Sequence, residues 1–299
     1  MPENNDIKTR AEEWLEKEGY SLEFLTATTF QRHGFRIFQS DHIRDYENDI
    51  LREVDVSAAL TKDVDGSLLR IKHIVECKWS NDKPWVVFCS DSSRIHPGAC
   101  IAQTIGSDLG SALLWHMAGD EVLYNTSHFC TPEEPGFAGR QVFSNGKDLF
   151  YSAMQSVTST SILSARRFND NESLILPRLG EIVFPLIVVK GKLFRATFDE
   201  QYEKIVLEEE NHIRSHWRGA ENWNLHCSVD IVTSDFLEEF IKIRKNERDL
   251  LFSSMHESLL NIKECFKAQS LDPLNLKRAP RGYSGLPKIL RQFEKRHLE

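Results

Sequence analysis

Between residues 50 and 80, apolar and polar positions alternate in two runs joined by a turn signature. Side chains alternate across a strand. Arg52-Glu53-Val54-Asp55-Val56-Ser57-Ala58 therefore puts Glu53 and Asp55 on one face, and Val54 and Val56 on the other. In the second run, Ile74-Val75-Glu76-Cys77-Lys78-Trp79, Glu76 and Lys78 share a face opposite Val75, Cys77 and Trp79. Asp63-Val64-Asp65-Gly66 reads as the hairpin turn between strands over Leu51 to Leu60 and Leu68 to Trp79. Asp63 and Asp65 are turn residues, because the liganding pattern of a calcium loop does not continue past them.

The periodicity of the remaining chain predicts alternating helices and strands. A first helix spans residues 8–20, anchored by Trp14 and Leu15 and closed by Gly19. Ser21 then caps a second, running to about His33 with an apolar stripe of Leu22, Leu25, Thr29 and Phe30. A strand opens at Phe35-Arg36-Ile37-Phe38, and Asp41 to Asn48 is a polar connection. Pro84 to Cys89 is a short strand, Pro97 to Met117 one helix, and 121–146, with Pro132, Pro135, Gly136 and Gly139, an irregular and mobile loop of the kind that shapes a substrate groove. A helix from Lys147 to Phe168 ends near Arg166-Arg167, which either contact phosphates or complement the helix C-terminus. Phe184 to Val189 is apolar throughout, as in a strand buried on both faces, and Lys190-Gly191-Lys192 turns it into Leu193 to Ala196. A last strand, Leu225 to Val232, precedes a helix capped by Ser234 and continuing through Phe236, Phe240 and Ile243. The alternation indicates an α/β fold.

The charged positions of the two central strands carry a chemical meaning. A carboxylate and an ammonium are costly to bury without a purpose. Neighbouring strands would bring Asp55, Glu76 and Lys78 to one spot. Two carboxylates suit Mg2+ or Mn2+, hard cations that retain water and bind phosphate oxygens. Such an ion polarises a phosphoryl oxygen and acidifies a water, and a lysine beside it orients that water or stabilises the transition state.

Asp55 followed by Glu76-Cys77-Lys78 resembles the PD-(D/E)XK nuclease superfamily, which includes restriction endonucleases, RecB-like nucleases and archaeal Holliday-junction resolvases. The likeness is clearest over residues 10 to 118 and extends to Ser21-Leu22-Glu23-Phe24-Leu25 and His33-Gly34-Phe35. Val54 departs from it, standing where the motif has proline. The resemblance implies a restriction endonuclease-like mixed β-sheet flanked by helices, with a nuclease core over 1–200, a C-terminal strand and helix packed on it over 201–270, and a basic tail over 271–299. It implies Asp55, Glu76 and the Cys77 backbone carbonyl as metal ligands, Lys78 and Glu23 as further catalytic residues, Mg2+ (or Mn2+) as cofactor and DNA as substrate. Glu23 also fits the first turn of its helix, where the dipole favours a carboxylate. Gln103 is either a solvated helix residue or a neighbour of the metal, as in some relatives. By analogy with the superfamily, a homodimer that cuts two strands and a place in restriction or phage defence beside other subunits are expectations.

Composition refines this picture only slightly. The chain of 299 residues is 40% hydrophobic and 27% charged, ordinary for a globular protein, with no apolar leader after Met1-Pro2-Glu3 and no apolar run long enough to span a membrane, so a cytoplasmic, membrane-free protein is expected. Its net charge of −8 argues mildly against indiscriminate nucleic-acid binding. Acidic runs such as Glu208-Glu209-Glu210 weigh on that sum, while Lys277, Arg278, Arg281, Lys288, Arg291, Lys295 and Arg296 concentrate positive charge at the end, as a contact to DNA backbone or as a solvated tail. Six cysteines without a CxxC pair indicate reduced thiols; Cys77, Cys89, Cys100 and Cys130 with His96, His116 and His128 lack the paired spacing of structural zinc. Neither a P-loop nor a Gly-x-Ser-x-Gly elbow is present. Two rival readings remain: a structure-selective recombination or repair nuclease, and a non-catalytic nucleic-acid-binding subunit that retains the fold.

Overall fold

The computed structural model describes residues 3–45, 50–80, 83–144, 148–167, 176–218, 226–274 and 285–294. Among these residues, eleven strands form one mixed sheet: β1 (Arg36–Asp45), β2 (Ile50–Val64), β3 (Ser67–Trp79), β4 (Trp85–Cys89), β5 (Ile105–Gly106), β6 (Gly136–Gln141), β7 (Leu179–Lys190), β8 (Leu193–Asp199), β9 (Lys204–Glu209), β10 (His212–Arg218) and β11 (His226–Thr233). They run in the order β1-β2-β3-β7-β11-β10-β6-β4-β8-β9, and β5 adds a short rung to β7. The helices are α1 (Glu3–Lys17), α2 (Tyr20–Arg32), α3 (Pro97–Gln103), α4 (Asp108–Met117), α5 (Leu149–Arg166), α6 (Leu237–Asn246), α7 (Arg248–Ala268) and α8 (Lys288–Glu294). The protein is thus α/β, with helices on both faces of a large mixed sheet. None of its helices is long and apolar enough to cross a membrane, among the described residues.

The centre of the sheet is β7, a parallel neighbour of both β3 and β11. Its apolar run serves two cores at once. Ile182, Phe184, Leu186 and Val188 join one cluster with α2, α4, α6, α7 and α8, whereas Val183, Ile187 and Val189 join a second beneath α5. A strand covered on both faces has no polar side to show, which is why its sequence does not alternate. β11, from the segment expected as a C-terminal addition, lies beside β7 within the sheet.

The hairpin of β2 and β3 forms, but its turn is narrower than expected: Asp63 and Val64 are paired in β2 opposite Leu68 and Ser67, and only Asp65 (φ 49°) and Gly66 (φ 76°) turn the chain, both left-handed as a two-residue hairpin loop requires. One expectation about its faces is corrected. Val56 packs in the first cluster and Val54 in the second, so the two valines do not share a face. The cause is local: the β2–β3 register ends at Val56 opposite Val75, and on the other side Ser40, at φ 49°, sits between the pairs Gln39–Val56 and Asp41–Val54. Alternation breaks at Asp55.

Several element boundaries also differ. Trp14 and Leu15 are exposed, not anchors, and Leu25 of the second helix is exposed as well. Gly19 precedes α2 in place of a Ser21 cap, and no side chain caps that end. The polar residues 41–45 belong to β1, and those at 46–49 lie outside the described residues. Ser234 does not cap α6, whose entry at Phe236 has no side-chain cap, and the helix breaks at Glu247 before α7. The region 121–144 is not irregular throughout, and 145–146 lie outside the described residues: a 3-10 turn over Glu121–Asn125 is followed by strand β6, whose glycines serve close packing. A Cβ on Gly136 would lie 2.6 Å from Val87, and one on Gly139 2.5 Å from the Phe150 ring.

The helix expected over Pro97 to Met117 is two helices with β5 between them. Ser107 explains the break. Its Oγ donates to the Leu179 carbonyl (2.8 Å) and accepts from the amides of Gly110 (3.1 Å) and Glu181 (3.0 Å), tying the start of α4 to β7. The approach is so close that a methyl on Gly110 would overlap the Glu181 carbonyl oxygen. Gly110→Ala should therefore cost about 3 kcal/mol, read as a lower urea midpoint at unchanged slope, because backbone on both sides leaves nothing flexible to yield.

Candidate active site

The gap at the end of the β2–β3 ladder is where the charged residues meet. Asp55 Oδ2 accepts the Cys77 amide at 2.7 Å, so a side chain supplies the hydrogen bond that the ladder no longer provides. Asp55 Oδ1 makes no hydrogen bond among the described residues. Glu76 accepts from Lys78 Nζ through Oε1 (2.5 Å) and from Ser156 Oγ through Oε2 (2.9 Å). Asp55, Glu76 and Lys78 thus come together under the N-terminal half of α5.

Charge balance at this spot is strained. Burial first, and the neighbouring Glu76 carboxylate second, push Asp55 up to about 7 against the opposing pull of the Cys77 amide and Lys78. Burial drags the Lys78 ammonium downward, yet Glu76 and Asp55 beside it leave it raised, so it stays protonated through the neutral range. Glu23, in the first turn of α2, is raised by burial and by Glu53 and Glu76, with Lys78 opposing. A helix-end stabiliser would be depressed by the dipole. Glu23 instead feels the other carboxylates, which places it within electrostatic reach of the site.

Two partners escaped the sequence reading. Ser156 belongs to a run of Ser152, Ser156, Thr160 and Ser164 on α5, spaced four apart and so on one helical face. Ser164 accepts from Lys72 at 2.7 Å, just as Ser156 donates to Glu76. The match is metrical: eight helical residues rise ~12 Å and four strand residues span ~13 Å. That four-residue period was the available signal. The second partner is Lys190, whose Nζ lies 4.6 Å from the centre of the Trp79 ring at the end of β3.

Other candidates lie elsewhere. Cys77 is half-buried, its thiol bonded to Thr26 (3.6 Å) and pushed well above the usual range by desolvation, with Asp55 adding to it, which disfavours the thiolate. All six cysteines are free thiols. Gln103 ends α3, away from β2 and β3, and shares a cavity with Arg166 and Arg291. Arg167 pairs with Asp41 at 3.5 Å. Of the basic tail, Lys277, Arg278, Arg281, Lys295 and Arg296 lie outside the described residues.

Among the described residues, no three His, Cys, Asp or Glu side chains are grouped to hold a metal ion. The donors on offer are two crowded carboxylates, one with an uncommitted oxygen. That set fits a hard divalent cation that keeps several waters, and would not suffice for zinc, which takes three or four protein ligands.

The raised Asp55 has a consequence for stability in the metal-free protein. Its folded pKa near 7 exceeds the ordinary carboxylate value, so the folded state holds a proton that the unfolded state has released. The contribution is complete below about pH 4 and is lost as pH rises to about 7. With chelator present, wild type should lose melting temperature between pH 5 and 8 relative to Asp55→Asn, and parallel curves would contradict the assignment.

Comparison of the chain with protein-family models, with curated proteins and with solved structures finds no match in any of the three.

Proposed function

We propose that this chain is a divalent-metal-dependent deoxyribonuclease of the PD-(D/E)XK type, with a restriction endonuclease-like core. The observation that carries the reading is the meeting of Asp55, Glu76 and Lys78 where the β2–β3 ladder parts. Asp55 and Glu76, with the Cys77 backbone carbonyl, would hold Mg2+ or Mn2+. When bound, such an ion polarises a phosphoryl oxygen and acidifies a water.

The chain's own residues supply the rest. Lys78 remains cationic at neutral pH, so it donates a hydrogen bond to the attacking water or to the scissile phosphate and offsets the negative charge that develops there. A deprotonating role is assigned to the carboxylates, which are the basic groups present. Ser156 fixes the second oxygen of Glu76, and Glu23 adds negative charge at the rim. Homodimer formation and a role in restriction or phage defence belong to this proposal as its biological setting.

The test is incubation of supercoiled, linear, single-stranded and branched DNA with the protein in Mg2+, Mn2+ or chelator. Metal-dependent cutting is the expected result, and preference for branched DNA would select the recombination or repair variant of the reading. No cutting of any substrate, with no calorimetric binding of Mg2+ or Mn2+, would overturn it in favour of a non-catalytic subunit.

A further inference from the structure

Three residues that the carboxylate site does not use converge elsewhere. Gln103 at the end of α3, Arg166 at the end of α5 and Arg291 in α8 line one cavity of about 300 Å³. Arg166 lies ten residues beyond Ser156 on α5, hence ~15 Å along the helix from the carboxylates. α8 is firmly seated there: Leu290 and Phe293 are buried in the first cluster, and Phe293 packs edge-on against Phe266 of α7.

The lining has the chemistry of an anion site with an apolar wall. Arg166 makes no hydrogen bond or ion pair among the described residues. Arg291 is oriented by donation of Nε to the Leu286 carbonyl (2.7 Å), which leaves both of its Nη groups without a partner among those residues. Two guanidiniums stand against one lining carboxylate, Asp108. Ile105, Ile162, Leu286 and Pro287 supply apolar surface between them. Guanidinium forks match phosphate oxygens in pairs, and a flat ring satisfies an apolar wall. The volume is at the small end of ligand cavities, the size of one nucleotide and too small for a duplex.

We propose that this cavity binds a small phosphate monoester of nucleotide size, at a site separate from the carboxylates. The choice of a nucleotide among phosphate monoesters rests on the nuclease reading; the anion site does not. Calorimetric titration of Lys78→Ala protein, which keeps the cavity and removes turnover, tests it with adenosine 5′-monophosphate, inorganic phosphate, and a tetranucleotide with and without a 5′-phosphate. Adenosine monophosphate should bind, with affinity lowered about tenfold by Arg166→Ala or Arg291→Ala, as for loss of one charged hydrogen-bonding group, and more by both together. Binding of the phosphorylated tetranucleotide alone, with the same arginine dependence, would keep the phosphate site and identify its source as a strand end. Binding unchanged in the double variant, or no binding of any phosphate-bearing probe, would overturn the proposal. Neither result bears on DNA cleavage by the wild type, so the two readings fail separately.

Discussion

Lys78→Ala should abolish metal-dependent DNA cleavage, lowering the rate by about 10³-fold or more, while leaving the fold intact. Removing a single preorganised charge donor from a reacting centre costs about 10²–10³ in rate, and Lys78 also holds Glu76 in place through its hydrogen bond. The side chain is only partly buried, so its loss leaves no large cavity. Glu76→Gln should be as damaging, because it removes a donor oxygen as well as the anchor for Lys78. Far-UV dichroism and the melting midpoint must stay near wild type for the comparison to count. Cleavage at wild-type rates by either variant would sink the assignment of this site.

Asp230→Ala should be the most destabilising single change in the described structure, costing about 3–5 kcal/mol and lowering the melting temperature by roughly 10 °C. Asp230 of β11 is 3% exposed and is the counter-charge of two buried arginines. Arg214 reaches both of its oxygens (3.0 Å each), Arg244 adds a third contact (2.7 Å), and His212 a fourth (2.8 Å). Burial would raise this carboxyl, but Arg214 and Arg244 hold it well below the carboxylate range. Arg214 also donates to the carbonyls of Ser127, His128 and Cys130, so one guanidinium fastens an entire loop to the sheet. Without Asp230 two buried cations lose the carboxylate they both contact, and among carboxylates only the more distant Glu247 acts on Arg244. Arg244→Met should be much milder, since Arg244 Nε and Nη1 are already buried without partners among the described residues, and burial has pulled that guanidinium down to about 10. Equal losses from the two substitutions, measured by urea unfolding, would contradict this account.

What the sequence made legible follows from local physics. The hairpin at Asp65-Gly66 and the apolar run of β7 are set by turn chemistry and composition within short windows, and the hairpin pairing is what brings Asp55 beside Glu76 and Lys78, although alternation itself breaks at Asp55. What was hidden depends on partners distant in the chain. Gly136 and Gly139 read as loop residues because nothing nearby shows that Val87 and Phe150 will press against them. The 97–117 segment reads as one helix because Ser107 looks like any polar residue until Leu179 and Glu181 are set beside it. Strands β9 and β10 show only short apolar stretches among charges: Lys204–Glu209 carries Ile205-Val206-Leu207 but is an edge strand with mostly exposed side chains, and β10 alternates charge with bulk around the buried Arg214. Ser156 belonged to a visible stripe, but a stripe of hydroxyls does not announce which carboxylate it will meet.

The placement of β7 between β3 and β11 also dictates when the chain can fold. During synthesis the hairpin bearing Asp55 and Glu76 is finished at Trp79, but its parallel neighbour ends at Lys190 and the strand beyond that at Thr233. At ribosomal speeds of about 5–20 residues per second, the wait for β7 alone is roughly 5–20 s. Throughout that interval the inner edge of β3 is an open template, and parallel pairing across so long a loop is slow to form. The nascent hairpin is therefore exposed to mispairing, and Asp55 and Glu76 lack their neighbouring strand until the middle of the sheet has been translated.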